Sequence, residues 1–116
     1  MNLTIYNRLI ELARGNRSIS YQKLSDQCNL GYDMHNPDDR NKIGSLLGEI
    51  STEEHGNGRP LISVLVFRDD TNIPGDGFFE LAQKLGKYNG SDNQIAKDNF
   101  FVSEFRNVCE YWQNTH

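Results

Sequence analysis

The stretch from Asn36 to Thr52 constrains the fold of this chain more than any other part of its sequence. Asn36 is a good N-cap, Pro37 suits the first helical position, and the two aspartates that follow complement the helix dipole. Apolar side chains then recur at i, i+3, i+4 and i+7, at Ile43, Leu46, Leu47 and Ile50. This spacing predicts an amphipathic helix that ends near Thr52 and needs a core to pack against.

Two shorter helices are predicted before this one. Apolar residues at helical spacing predict a helix over residues 3–14, with Gly15 as its stop. Ser20 can cap a second helix that runs from Tyr21 to about Cys28, and a polar loop over residues 29–36 leads into the next start signal.

The second half of the chain begins with an apolar, β-branched run that Pro60 opens and Phe67 ends. Such a run predicts a buried strand, and a second short strand is expected after the turn at residues 69–72. A short helix is predicted from Phe78 to Leu85, and aromatic and apolar residues from Ile95 to Trp112 predict an amphipathic C-terminal helix.

This order of elements predicts an α+β fold of the winged helix-turn-helix type, with three helices, a small β-ribbon and additional C-terminal helices. With 116 residues, the chain fits a single domain with one modest core. We expect residues 1–86 to form the winged-helix-like core and residues 91–116 to form the amphipathic helix that packs on it.

Composition narrows the class of protein. No apolar run approaches the roughly 20 residues that span a bilayer, and the N-terminus lacks the features of a signal peptide, so a cytoplasmic protein without a membrane partner is expected. Its two cysteines do not make a disulfide framework. The net charge of −4 counts against indiscriminate nucleic-acid binding and suits docking onto a basic partner.

Four segments of the sequence occur in an order that resembles a known family: ISYQKL (19–24), RNKIGSLL (40–47), PLISVLV (60–66) and PGDGFF (74–79). Together they are similar to the winged-helix, DNA-binding domain of the O6-alkylguanine-DNA alkyltransferases and alkyltransferase-like proteins. The resemblance covers about residues 18–79, and it implies a winged-helix fold and contact with duplex DNA.

The departures from the family pattern concern its chemistry. Leu61 stands where the family has its alkyl-accepting cysteine, and Ile62 stands where the histidine that activates it belongs. A hydrocarbon side chain cannot become a thiolate, so alkyl transfer is not expected. Tyr21 matches the tyrosine that presses on the backbone of the flipped nucleotide. Asn41 takes the place of the arginine that fills the base stack, and it is too short for that role.

The resemblance and the charge pattern together predict a DNA-binding surface. Arg40, Asn41 and Lys42 lie at the N-terminal end of the expected recognition helix, where such helices touch base edges. The residues at the preceding helix start are expected next to a phosphate, and two further arginines are expected in the wing. The complete predicted set is Tyr21, Gln22, Lys23, Arg40, Asn41, Lys42, Arg59 and Arg68.

An alternative function follows from the carboxylates. The chain could be a small acidic inhibitor, such as an immunity protein or antitoxin that neutralises a basic nuclease toxin. Its candidate contact residues are Asp33, Asp38, Asp39, Glu53 and Glu54. The two functions require opposite electrostatics on neighbouring surfaces, because DNA needs an uninterrupted positive face and a basic toxin needs clustered carboxylates.

Other candidate sites are weaker. Glu53, Glu54 and His55 combine carboxylates with an imidazole, but consecutive residues point in different directions, so a solvated loop is expected there. No serine or cysteine has a recognisable catalytic setting, so we expect no enzyme, no metal, no cofactor and no small-molecule substrate. Phe100 and Tyr111 lie off the main aromatic stripe of the last helix and could anchor a partner protein if they are exposed.

Overall fold

The computed structural model describes residues 1–115, in which helices dominate and a small parallel sheet joins them in an α+β fold. The sheet contains two strands of two residues each, and a 3₁₀ helix precedes the second strand. The α-helices are α1 (Leu3–Arg14), α2 (Tyr21–Gln27), α3 (Pro37–Gly56), α4 (Asp76–Lys84) and α5 (Gln94–Gln113). The strands are β1 (Ile19–Ser20) and β2 (Val66–Phe67), and the 3₁₀ helix is Ile62–Leu65.

Local capping fixes where α2 and α3 begin. The side chain of Ser20 accepts a hydrogen bond from the backbone N–H of Lys23 at 3.2 Å, which caps α2. Asn36 accepts from the N–H of Asp38 at 2.9 Å and caps α3, with a proline at its start. Both predicted starts are confirmed, and α1 has the predicted bounds.

The long helix α3 continues past its predicted end near Thr52 and stops at Gly56. The predicted loop at residues 53–59 therefore begins later than expected. Residues 53–56 are polar or glycine, which is typical of a loop, but the side chain of Glu54 lies on the inner face of α3 and is fully buried. Its burial with Arg59 makes the last turn of α3 part of the core.

The predicted strand from Pro60 to Phe67 is wrong over most of its length, because Ile62–Leu65 forms a 3₁₀ helix. The backbone N–H of Leu61 donates to Oε2 of Glu104 at 2.9 Å, and that of Ser63 donates to Oγ of Ser51 at 3.1 Å. Side chains of α3 and α5 thus satisfy backbone donors of this segment, which does not need a neighbouring strand to do so.

The short sheet is also not the expected ribbon. β1 and β2 pair in parallel, with Ile19 opposite Val66 and Ser20 opposite Phe67. Within residues 68–115, no strand follows β2, so the second short strand expected after the turn is absent. The wing of a winged helix is therefore not formed by an antiparallel ribbon in the described part of the chain.

The 3₁₀ helix lies in the middle of the core and contacts α1, α3 and α5. All six residues from Leu61 to Val66 are buried. The C-terminal helix α5 also packs along α1. Residues of α5 and of the first 86 residues belong to one hydrophobic cluster, so the C-terminal helix shares the core.

The inner face of α5 differs from the predicted aromatic stripe. Its buried residues are Glu104, Val108, Cys109 and Trp112. Ile95 is 70% exposed, so it does not belong to the core-facing stripe in which its spacing had placed it. Phe100 and Tyr111 are half-buried and pack against the core.

Candidate nucleic-acid interface

The loop between α2 and α3 is held in place by the side chain of Gln22. Its Nε2 donates to the carbonyl of Tyr32 at 2.9 Å, and its Oε1 accepts from the N–H of Met34 at 2.9 Å. The hydroxyl of Ser25 also hydrogen-bonds with the backbone of Tyr32. Gln22 is thus a positioning residue, and the loop that it fixes leads directly into the N-terminal end of α3.

The first six residues of α3 (37–42), here called the α3 tip, carry the predicted recognition residues. Arg40, Asn41 and Lys42 are all exposed. Arg40 donates from Nη1 to the carbonyl of Met34 at 3.0 Å. The ammonium of Lys42 lies 4.0 Å from Asp39 and 5.9 Å from the centroid of the Tyr32 ring. The structure therefore brings these three residues together on the surface.

Carboxylates are interleaved with these cations. Asp39 accepts from the N–H of Asp33 at 2.9 Å, and Asp33 accepts from the backbone and ring of His35. The hydrogen bond from the His35 backbone lowers the pKa of Asp33. Asp38 is exposed at the same tip. The α3 tip is therefore a surface of mixed charge, and its positive groups do not form an uninterrupted face.

A second set of predicted residues lies at the start of α2. The hydroxyl of Tyr21 accepts a hydrogen bond from the N–H of Gly75 at 2.9 Å, and burial raises the pKa of that hydroxyl. Lys23 is exposed, two residues further along the helix. Arg68 lies with Tyr21 beside Gly75, and its side chain is 48% exposed. Arg68 donates to both oxygens of Asp70, at 3.0 and 2.8 Å.

Arg59 and Glu54 lie apart from the tip, at the opposite end of α3. The guanidinium of Arg59 donates to both oxygens of Glu54, at 3.0 and 2.9 Å, and these hydrogen bonds raise the pKa of Arg59. The hydroxyl of Tyr6 donates to the same carboxylate at 2.8 Å. At 1.5 Å per helical residue, Arg40 and Glu54 are about 21 Å apart along the axis. The structure therefore does not group Arg59 with the α3 tip, and Glu54 does not reach the surface, unlike the exposed Glu53.

Sequence reasoning missed Glu104 and Lys87. The carboxylate of Glu104 is 2% exposed and forms an ion pair with the ammonium of Lys87. A signal was present, because Glu104, Val108 and Trp112 are spaced by four residues and so share one helix face. No role was assigned to Glu104 from the sequence, because a glutamate is rarely fully buried.

Two features bear on catalytic and metal chemistry, namely the cysteines and the clustering of possible metal ligands. Cys28 and Cys109 are buried, and burial raises the pKa of both thiols, which disfavours the reactive thiolate. Within residues 1–115, no cluster of three or more histidine, cysteine or acidic residues could hold a metal ion. Over the same residues, no helix combines the length and the apolar character that crossing a membrane requires.

Comparison of the chain with protein-family models, with curated proteins and with solved structures finds no match in any of the three.

Proposed function

We propose that the protein is a non-catalytic DNA-binding module of the helix-turn-helix type that contacts duplex DNA with the α3 tip and the start of α2. The observation that carries the proposal is the anchoring of the loop by Gln22, which fixes the α3 tip relative to α2. Arg40, Asn41 and Lys42 are thereby exposed at the end of a helix whose position is set in advance. Such preorganisation reduces the entropy that is lost on binding.

The side chains at this surface suit the two kinds of contact that a DNA-binding protein makes. Arg40, Lys42 and Lys23 are cations that can pair with phosphates, which supply most of the affinity. Asn41 is exposed beside them and carries both a donor and an acceptor for a base edge. The Tyr21 hydroxyl accepts from Gly75 and keeps its own proton for a phosphate oxygen.

In this proposal the protein binds DNA without transferring an alkyl group. Leu61, at the position of the family's reactive cysteine, is 0% exposed and has no nucleophilic atom. Ile62, at the position of the activating histidine, is also fully buried. Binding without covalent chemistry is the function that these residues can support.

The acidic-inhibitor alternative has an observation of its own. The side chain of Asp33 is 66% exposed, and Asp38 is exposed at the same tip, so carboxylates are offered to a partner beside Arg40 and Lys42. The alternative surface would consist of Asp33, Asp38 and Asp39, without the buried Glu54.

The experiment that tests the proposal is fluorescence anisotropy with a labelled duplex across a salt series. Wild type is compared with an Arg40→Glu, Lys42→Glu variant and with a Lys84→Glu, Arg106→Glu control, which makes the same change in net charge on exposed residues of α4 and α5. We expect wild type and control to bind with affinity that falls as salt rises, and the tip variant to lose binding.

A third variant, Asp38→Asn, separates the two functions. Removing this carboxylate should strengthen DNA binding, because it removes a repulsion between the α3 tip and phosphate. If wild type fails to bind DNA even at low salt, or if the control variant loses binding as fully as the tip variant, the DNA proposal is refuted.

A further inference from the structure

A polar groove of about 680 Å³ lies where the C-terminal end of α3 meets α5, far from the α3 tip. Two cations from different parts of the chain line it, together with neutral polar side chains of α5. The lining residues that matter here are Arg59, Lys87, Asn107, Glu110, Tyr111 and Asn114.

The guanidinium of Arg59 is held in a fixed orientation beside this groove. Its Nε and Nη2 atoms donate to the fully buried Glu54, so the plane of the guanidinium is set by the core. A further side-chain hydrogen bond joins the guanidinium to Tyr111. Of its five N–H groups, two donate to Glu54 and one bonds to Tyr111, so two remain for a ligand. A guanidinium held in this way needs little further ordering to bind an oxyanion.

Lys87 is held by a similar arrangement. Its ammonium pairs with Glu104, a buried carboxylate that also accepts the N–H of Leu61 at 2.9 Å. The Lys87 side chain is 25% exposed, and an ammonium carries three donors, so two remain for a ligand in the groove. Each of the two cations is therefore paired with a buried carboxylate.

The rest of the lining is mostly neutral. Asn107, Asn114 and Tyr111 offer amide and hydroxyl groups, and Glu110 is the carboxylate among the groove residues. We propose that this groove binds one small oxyanion, a phosphate or carboxylate group, between Arg59 and Lys87. The site is independent of the proposed DNA surface, because about 21 Å of α3 separates Arg40 from Glu54.

The test is a titration of the ¹⁵N-labelled protein followed by NMR, with inorganic phosphate and sodium acetate in separate arms. Sodium chloride at matched ionic strength serves as the reference. The Arg59 Nε–H signal is a suitable probe, because this group donates to the buried Glu54. We expect saturable shifts of the Arg59 and Asn107 signals with at least one oxyanion, and the stronger arm identifies whether phosphate or carboxylate is preferred.

Variants that leave both ion pairs intact make the test specific. Asn107→Asp adds a negative charge to the groove and should weaken binding by roughly fivefold, whereas Glu110→Gln should strengthen it. Asn99→Asp is the matched control, since it makes the same change at an exposed position of α5 outside the groove. The Arg40→Glu, Lys42→Glu variant should bind the oxyanion as wild type does, whether or not DNA binding is found.

Shifts that do not saturate, that chloride reproduces, or that Asn107→Asp and Asn99→Asp reduce equally would overturn this proposal. Displacement of the oxyanion by duplex DNA would also overturn it, because the groove would then belong to the DNA surface.

Discussion

The two ends of α3 use the same kinds of residue in opposite ways. At the N-terminal end, Arg40 is exposed and donates to a single backbone carbonyl of the preceding loop. At the C-terminal end, Glu54 is completely buried and Arg59 holds it with two hydrogen bonds. Charge in the sequence therefore does not reveal whether a residue serves the fold or a partner, since burial decides it.

Ion pairs at the two ends of α3 contribute differently to the free energy of folding. A surface pair such as Lys42 and the half-buried Asp39, 4.0 Å apart, contributes about 0–1 kcal/mol. A buried pair is close to neutral as a whole, but removing one partner leaves an uncompensated charge that costs about 3–5 kcal/mol. The α3 tip can therefore be altered with little effect on the fold, and the other end of α3 cannot.

The largest expected effect comes from Arg59→Met. This change leaves the Glu54 carboxylate buried without its cation, and we expect the free energy of unfolding to fall by about 3–5 kcal/mol. Urea unfolding monitored by the fluorescence of Trp112, the single tryptophan, measures it. Adding Glu54→Leu to Arg59→Met should recover part of the loss. A loss below about 1 kcal/mol would show that this pair is not a buried element of the core.

An intermediate effect should appear at alkaline pH. Burial, followed by the hydrogen bond to Glu54, raises the pKa of Tyr6 from 10.0 to about 12. An unfolded tyrosine loses its proton near pH 10, whereas folded Tyr6 keeps its proton up to about pH 12. The stability that Tyr6 contributes in its protonated form is therefore complete below pH 10 and is lost as pH rises from about 10 to about 12.

The measurement compares urea midpoints of wild type and Tyr6→Phe between pH 9 and pH 12. The variant should be less stable at pH 9, by about 1–3 kcal/mol, because Glu54 loses a hydrogen bond. It should then lose less stability than wild type as pH rises. A Tyr32→Phe control, beside the α3 tip, should retain the wild-type slope, and equal slopes for Tyr6→Phe and wild type would contradict the role assigned to Tyr6.

The smallest expected effect comes from Arg40→Met, which makes the same arginine-to-methionine change at the N-terminal end of α3. It removes one exposed hydrogen bond to the carbonyl of Met34, so we expect a change in unfolding free energy of about 0.5 kcal/mol or less. Urea unfolding under the conditions used for Arg59→Met gives a direct comparison. A loss above about 2 kcal/mol would assign Arg40 to the fold, and the distinction between the two ends would then fail.

Much of the helical structure could be predicted because the signals are local. The start of α3 depends on Asn36, Pro37 and two aspartates, all within one turn, and the structure confirms it. The exposure of Arg40, Asn41 and Lys42 at the α3 tip could be predicted for the same reason. The anchoring of the loop by Gln22 could not, because the side chain bonds residues 10 and 12 positions away.

The wrong prediction of a strand over residues 60–67 has a physical cause. The run from Leu61 to Phe67 has the β-branched, apolar composition of a strand, yet most of it is a 3₁₀ helix. The carboxylate of Glu104 accepts the backbone N–H of Leu61 from 43 residues away, and the hydroxyl of Ser51 accepts that of Ser63 from 12 residues away. Composition alone cannot show that such partners exist.

The sequence by itself determined the starts of α1, α2 and α3, the amphipathic faces of α1 and α3, and the absence of a nucleophilic side chain at Leu61. Each depends on residue type or on interactions within about one helical turn. Tertiary structure alone decided that Glu54 and Glu104 are buried, that Arg59 belongs to the core end of α3, and that β1 pairs with β2. These outcomes depend on which side chains come into contact in the folded chain. A carboxylate can be buried at low cost only when a cation and hydrogen-bond donors from other parts of the chain are buried beside it.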